Sequence, residues 1–144
     1  MISIERIFEA SEGMIEDINR LLPQLRASPE EHNGSLAELQ TIVGDKNAAL
    51  IVARDEKKIV GMATLYMIAK FSKRTGTVED VVVDSAYRGR GLASQILKKL
   101  IDIAKEEGVK TLSLTSRPAR EAANKLYQKL GFERKETNVY RMKL

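Results

Sequence analysis

Apolar and polar positions alternate at the start of the chain, Ile2 and Ile4 against Ser3 and Glu5, and this period of two predicts a first strand over residues 2–8. The period then lengthens. Met14, Ile15, Ile18, Leu21, Leu22 and Leu25 recur at helical spacing and make one apolar stripe, which Pro29 and the polar residues up to Gly34 end. Ser35-Leu36-Ala37-Glu38 is a capping-box pattern, and it predicts a short second helix with Leu36, Leu39 and Val43 on one face. Residues 48–53 read as a buried-type strand, 54–58 as a polar turn, and 59–69 and 77–83 as two further β-prone strands, so the three form an antiparallel meander.

The strongest helical pattern covers residues 90–107, with Leu92, Ile96, Leu97, Leu100, Ile101 and Ala104 on its buried side and Gly108 at its end. Residues 111–115 predict a strand. Pro118 is suited to begin a helix whose stripe is Ala119, Ala122, Ala123, Leu126, Tyr127 and Leu130, ended by Gly131. Phe132 and residues 139–144 read as the last strands. The order β-α-α-β-β-β-α-β-α-β(-β) describes one α/β domain over residues 1–144, with a mixed central sheet flanked by helices and a β-α-β crossover over residues 78–115.

Composition narrows the chemistry. With no cysteine, a disulfide, a thiolate metal site and a cysteinyl acyl-enzyme are all excluded. A single histidine, His32, rules out histidine-rich metal sites, and as one residue in a polar segment it reads first as a solvated side chain. Carboxylates, lysines, tyrosines and backbone groups are left to do the work. No run approaches the ~18 apolar residues of a membrane helix, and no export signal opens the chain, so a cytoplasmic protein with no membrane partner is the default expectation. Charge is divided along the chain. Residues 1–50 hold nine Asp/Glu and four Lys/Arg, whereas residues 51–144 hold eleven and twenty, a balance suited to an anionic ligand.

The most informative stretch is Val81-Val82-Val83-Asp84-Ser85-Ala86-Tyr87-Arg88-Gly89-Arg90-Gly91-Leu92-Ala93, where a strand enters a glycine-rich turn and then the strongest helix. Glycine allows positive φ and lets a ligand approach without meeting a Cβ. The first amides of the helix have no internal partners and carry the positive end of its dipole. Together with Arg88 and Arg90 they form a cradle suited to a pyrophosphate. An ordinary strand-to-helix turn would use the same glycines for geometry alone.

Arg88-Gly89-Arg90-Gly91-Leu92-Ala93, after its valine-rich strand, resembles the Arg/Gln-x-x-Gly-x-Gly/Ala signature of the GNAT superfamily of N-acetyltransferases. Asn124-Lys125-Leu126-Tyr127-Gln128-Lys129-Leu130-Gly131-Phe132 is similar to that family's second signature, a helix ending Leu-Tyr-x-x-x-Gly-Phe. The resemblance implies acetyl-CoA as cosubstrate, lying between two splayed strands at 78–83 and 111–115. It assigns the backbone of Val81 and Val83 to the pantetheine arm, as a form of strand addition. To the pyrophosphate it assigns Arg88, Gly89, Arg90, Gly91, Leu92, Ala93 and Ser94. Many members carry asparagine seven residues before the tyrosine; here that position is Arg120, and Asn124 is the nearby asparagine that could contact the cofactor instead.

The resemblance also implies the catalytic pair. Tyr127 falls where the family often has its general acid, a phenol able to return a proton to the departing thiolate, although it fits the apolar stripe of its helix equally well. Glu79 falls where members often have a base, and a period of two puts it on one face with Val81 and Val83 and turns Asp80 to the other. Arg117 and Arg120 stand at the mouth of the last helix, where they could meet an acidic part of an acceptor or the phosphates of CoA.

The reaction so implied is direct attack of an amine on the thioester within a ternary complex. The acceptor, a small molecule or a peptide amine, is not legible, and neither is whether the chain forms a homodimer. Two rivals remain open at this point. A non-catalytic acyl-CoA-binding sensor would carry the same cradle. A nucleic-acid binder would use the basic segment, but three Phe, four Tyr and no Trp offer few stacking platforms and no nucleic-acid motif is present, so no nucleic-acid partner is expected.

Overall fold

The structure, a computed structural model, describes residues 1–26 and 33–144, so Pro29 and His32 lie outside the described residues. Two compact units make up the chain, Met1–Leu114 and Thr115–Leu144. In the first, β1 (Ile2–Ile7), α1 (Glu12–Leu25), α2 (Leu36–Gly44), β2 (Ala48–Asp55), β3 (Lys58–Ala69), β4 (Arg74–Val83), α3 (Leu92–Glu106) and β5 (Thr111–Ser113) follow in order, with one 3₁₀ turn at Ser85–Tyr87. The second unit contains α4 (Glu121–Lys129).

The expected meander forms. The sheet order is β1-β2-β3-β4-β5, antiparallel throughout except for the last pair, where the crossover through α3 makes β5 parallel to β4. One face carries Leu50, Val52, Met62 and Val82, packed with Ile18 and Leu21 of α1 and Leu39 of α2. On the other, α3 lays Ile96 within contact of Gly61, and its stripe of Leu92, Ile96, Leu97, Leu100, Ile103 and Ala104 is buried. β2 therefore presents apolar residues on both faces, which is why residues 48–53 read as a continuous apolar run rather than an alternating one.

Local chemistry explains the element ends. The expected cap forms, since the Glu38 amide donates to Ser35 Oγ at 3.1 Å, while Glu38 Oε1 accepts the Ser35 hydroxyl at 3.0 Å rather than the Ser35 amide of a full capping box. Asn19 of α1 holds the residues before α2 by a reciprocal pair with Gly34, its Nδ2 donating to the carbonyl and its Oδ1 accepting the amide. The helix expected over 90–107 begins two residues later, because Gly89 and Gly91 both have positive φ.

Three expectations are corrected. β4 begins at Arg74 rather than Thr77. Pro118 does not start α4; a turn closed by the Arg120 amide on the Arg117 carbonyl intervenes, and the helix starts at Glu121. The strands expected at Phe132 and over residues 139–144 do not form: residues 132–144 carry no helix or strand, and Val139, Tyr140 and Met142 are exposed. Alternation makes a segment β-prone, but a strand exists only where a neighbouring edge takes its peptide groups.

Removing the α2 cap tests the local argument. Ser35→Ala is expected to lower unfolding free energy by about 1 kcal/mol, read as a lower denaturation midpoint at unchanged m-value.

Candidate active site

β4 is bonded to β3 along its whole length but to β5 only through Thr75, Gly76 and Thr77, opposite Thr111, Leu112 and Ser113. β5 ends at Ser113, so the pairing stops at Thr77 and the remainder of β4 has no β5 partner. The Asp84 amide donates to the Val60 carbonyl at 2.8 Å, on the β3 side. Because successive peptide groups of a strand face opposite edges, that of Val83 turns to the edge that β3 does not use.

A bulge sits in the same stretch. Thr64 pairs with Glu79 and Met62 with Val82, so Asp80 and Val81 together oppose Ala63, and Asp80 takes a φ of +53°. The extra residue shifts the alternation. Glu79 shares its face with Val82 and Met62, on the side of α1 and α2, and Val83 lies on the face of Gly61 and Val78. The expectation that a period of two puts Glu79 on one face with Val83 is therefore wrong, because the bulge breaks the period between them.

From Val83 the chain enters a loop fastened to α1. Asp84 caps the 3₁₀ turn, its Oδ1 accepting the Ala86 amide at 3.1 Å, and its Oδ2 meets Arg20 Nη1 at 3.3 Å. Arg20 Nη2 also donates to the Ile59 carbonyl, Asp17 Oδ2 accepts the Ile59 amide, and Gln24 Oε1 accepts the Ser85 amide at 2.8 Å. Asp17, Arg20 and Gln24 recur at three and seven residues along one side of α1. The sequence reading passed them over, although that spacing was the available signal.

The two arginines of the loop are held differently. Arg88 Nε donates to the Val83 carbonyl at 3.2 Å, and the Arg90 guanidinium lies 4.8 Å from the centroid of the Tyr87 ring. Tyr87 Oη donates to Asp55 Oδ2 at 2.6 Å, and this bond raises the phenol above its usual 10, with burial adding and Arg90 opposing. Gly89 and Gly91 have φ of +79° and +74°, and a Cβ on either would meet no atom of the described residues within 4 Å. Gly91 is also the N-cap of α3, so the amides of Leu92, Ala93 and Ser94 start the helix beside that space.

Tyr66 of β3 was not singled out in the sequence. It follows Met62 and Thr64 on the face of Glu79, half-buried, and its phenol is pushed up first by burial and then by the negative charges of Asp80, Glu79 and Asp45. The carboxylates of Asp80, Glu79 and Asp45 thus lie near enough to act on this phenol.

In the second unit the Tyr-x-x-x-Gly-Phe spacing has a physical origin. The Phe132 amide donates to the Tyr127 carbonyl at 3.0 Å and the Gly131 amide to that of Gln128 at 3.1 Å, which closes a Schellman motif with Gly131 at φ +104°. Phe132 meets the Tyr127 ring edge-on, centroids 6.1 Å apart. Burial pushes the Tyr127 phenol above 10, opposed by the charge and hydrogen bond of Arg120 two helical turns earlier. Asn124 Nδ2 donates to the Arg117 carbonyl at 3.0 Å, fastening the turn before α4.

The comparisons with known proteins follow this geometry. Residues 13–132 match the model of the acetyltransferase (GNAT) family. The chain belongs to that family. It is 37% identical over 125 residues to a probable glucosamine 6-phosphate N-acetyltransferase 2 of Oryza sativa subsp. japonica, covering 80% of this chain and 73% of the relative. The crystal structure of a Trypanosoma brucei acetyltransferase superposes with a TM-score of 0.80 at 28% identity and covers 100% of both chains. The glucosamine-6-phosphate N-acetyltransferase structure from Arabidopsis thaliana has a TM-score of 0.76, covers 99% of this chain and 98% of that one, and at 22% identity bears on the fold alone.

As a GNAT member the protein is an N-acetyltransferase, with acetyl-CoA as cosubstrate and an amine as acceptor. The rival of an acyl-CoA sensor without turnover finds no support among these relatives. Among the described residues, no group of three or more His, Asp or Glu could hold a metal ion, and no helix is long and apolar enough to cross a membrane.

Gly91→Val puts a β-branched side chain into left-handed backbone and into the space at the start of α3. It is expected to lower stability by about 1–3 kcal/mol and to weaken acetyl-CoA binding at least ~tenfold, about 1.4 kcal/mol. Wild-type affinity in calorimetry of the folded variant would make the turn structural only.

Proposed function

We propose that residues 1–144 form one N-acetyltransferase domain that acetylates the amino group of a small amino-sugar phosphate, by direct attack on acetyl-CoA in a ternary complex. The observation that carries the acceptor class is the likeness to the rice protein, whose name gives glucosamine 6-phosphate as its substrate. The carboxylates of Glu79 and Asp80 near Tyr66 support a cationic amine arriving there. A peptide amine is the second acceptor class; the absence of a membrane or nucleic-acid partner, a cytoplasmic location and a homodimer complete the reading.

In this reading the thioester lies along the outer edge of β4, with pantetheine amides paired to the backbone of Val81 and Val83. The pyrophosphate sits against Arg88, Gly89, Arg90 and Gly91 and the amides of Leu92, Ala93 and Ser94. Asn124, already bonded to Arg117, is a further cofactor contact only if it gives up or shares that bond. Glu79 takes a proton from the ammonium, directly or through water. The freed nitrogen then attacks the thioester carbonyl, whose developing oxyanion meets a β4 backbone amide. As the carbon–sulfur bond breaks, the thiolate takes a proton from the Tyr127 phenol, and the proton that the nitrogen sheds in becoming an amide passes through solvent to restore that phenol.

Glucosamine 6-phosphate, glucosamine, a diamine and a short peptide are compared by CoA release. The reading expects the highest kcat/KM with glucosamine 6-phosphate and a loss of at least ~tenfold without the phosphate. Equal or faster turnover of the peptide would overturn the acceptor class.

The pH profile tests the two catalytic roles. Burial raises the Tyr127 phenol, so it stays protonated through neutral pH, and the alkaline fall in kcat that depends on it should lie above pH 10. Tyr127→Phe should lower kcat by ~10- to 10³-fold and remove that fall. Glu79→Gln should remove the acidic limb of kcat/KM and recover rate as the pH rises, since more amine then arrives deprotonated. An acidic limb unchanged in Glu79→Gln excludes this base.

A further inference from the structure

The proposed phosphate loop contains two arginines, and the structure divides their work. Arg88 is turned back onto β4, its Nε bonded to the Val83 carbonyl at 3.2 Å. Arg90 is exposed, and its guanidinium carbon lies over the Tyr87 ring, 4.8 Å from the centroid. A guanidinium has its N–H donors in its plane, so stacking on a ring fixes the group without consuming them. Two parallel in-plane donors match the oxygens of a phosphate.

The ring that holds Arg90 is itself held at both ends. Its hydroxyl donates to Asp55 at the end of β2, at 2.6 Å, and its amide donates to the Asp84 carbonyl at 2.8 Å. The sheet is thereby connected through Asp55 and Tyr87 to a guanidinium that would otherwise sample many rotamers. An arginine ordered before binding loses less conformational freedom when it meets an anion.

We infer that Asp55 and Tyr87 position Arg90 as the side chain that pairs with the pyrophosphate of acetyl-CoA, beside an Arg88 whose Nε is engaged by the strand end. This rests on the loop being the cosubstrate's phosphate site. Tyr87 and Asp55 are positioning residues: they act through Arg90 and touch no reacting atom.

A double-mutant cycle on the dissociation constant of CoA, measured by calorimetry in proteins checked for folding by melting, tests the inference. Arg90→Ala is expected to weaken CoA about tenfold or more, as for a charge-assisted hydrogen bond. Tyr87→Leu should weaken it about three- to tenfold in the wild-type background, as for a cation–π contact that orders the group, and should add nothing in the Arg90→Ala background. Tyr87→Phe keeps the ring and loses only the bond to Asp55; it should give a smaller loss that likewise vanishes without Arg90, and it serves as the cycle if Tyr87→Leu does not fold.

Equal losses in both backgrounds would mean that Tyr87 merely holds the loop, and would overturn the inference, as would wild-type affinity in Arg90→Ala. Dephospho-CoA, which lacks the 3′-phosphate, should show the same Arg90 effect. If the effect disappears with that ligand, Arg90 meets the 3′-phosphate and the assignment to the pyrophosphate fails. Failure of the wild-type protein to bind CoA at all would instead sink the reading of the loop as a phosphate site.

Discussion

The backbone obligations of β4 govern the rest of the molecule. Every buried peptide group needs a partner, and β4 meets that need with β3 along its whole length but with β5 only from Thr75 to Thr77. Among the described residues no strand pairs with Val78 to Val83 on the side away from β3, where the Val83 carbonyl accepts Arg88 Nε. An acyl carrier built of amides can use such an edge as a further strand, and the sheet does not have to be rebuilt to admit it. The parallel crossover through α3 makes this arrangement available, because it returns the chain beside the start of β4 and β5 pairs no further than Thr77.

The bulge at Asp80 and Val81 re-aims the side chains of this strand. One extra residue moves Glu79 to the face of Met62 and Val82, toward α1 and α2, while the peptide group of Val83 turns to the outer edge. Within five residues the bulge thus puts Glu79 and Val83 on opposite faces of the sheet.

α1 contributes through its polar side as well as its apolar stripe. Ile18 and Leu21 bury against the sheet, while Asp17, Arg20 and Gln24 take hold of the Ile59 peptide, Asp84 and the Ser85 amide. Asp84 is nearly buried, so its ion pair with Arg20 is screened less than a surface pair and helps fix the loop that carries Gly89 and Gly91. Geometry at the start of α3 is in this way set from an element about seventy residues earlier in the chain.

What the sequence by itself determined is what depends on near neighbours. The Ser35 cap, the positive φ at Gly89 and Gly91, and the Tyr127–Gly131–Phe132 helix end each need only a few consecutive residues, so residue type and spacing were sufficient to read them and, through the resemblance they carry, the reaction. Tertiary structure alone decided what depends on partners far along the chain. The face of Glu79 followed from a register against β3 that no period of two could reveal. The alternation at residues 139–144 produced no strand, since β-propensity does not supply an edge. The bond from Tyr87 to Asp55 joins residues thirty-two apart. The acceptor lies furthest beyond the sequence, because it is selected by surfaces that several elements assemble together, and no local pattern encodes a surface of that kind.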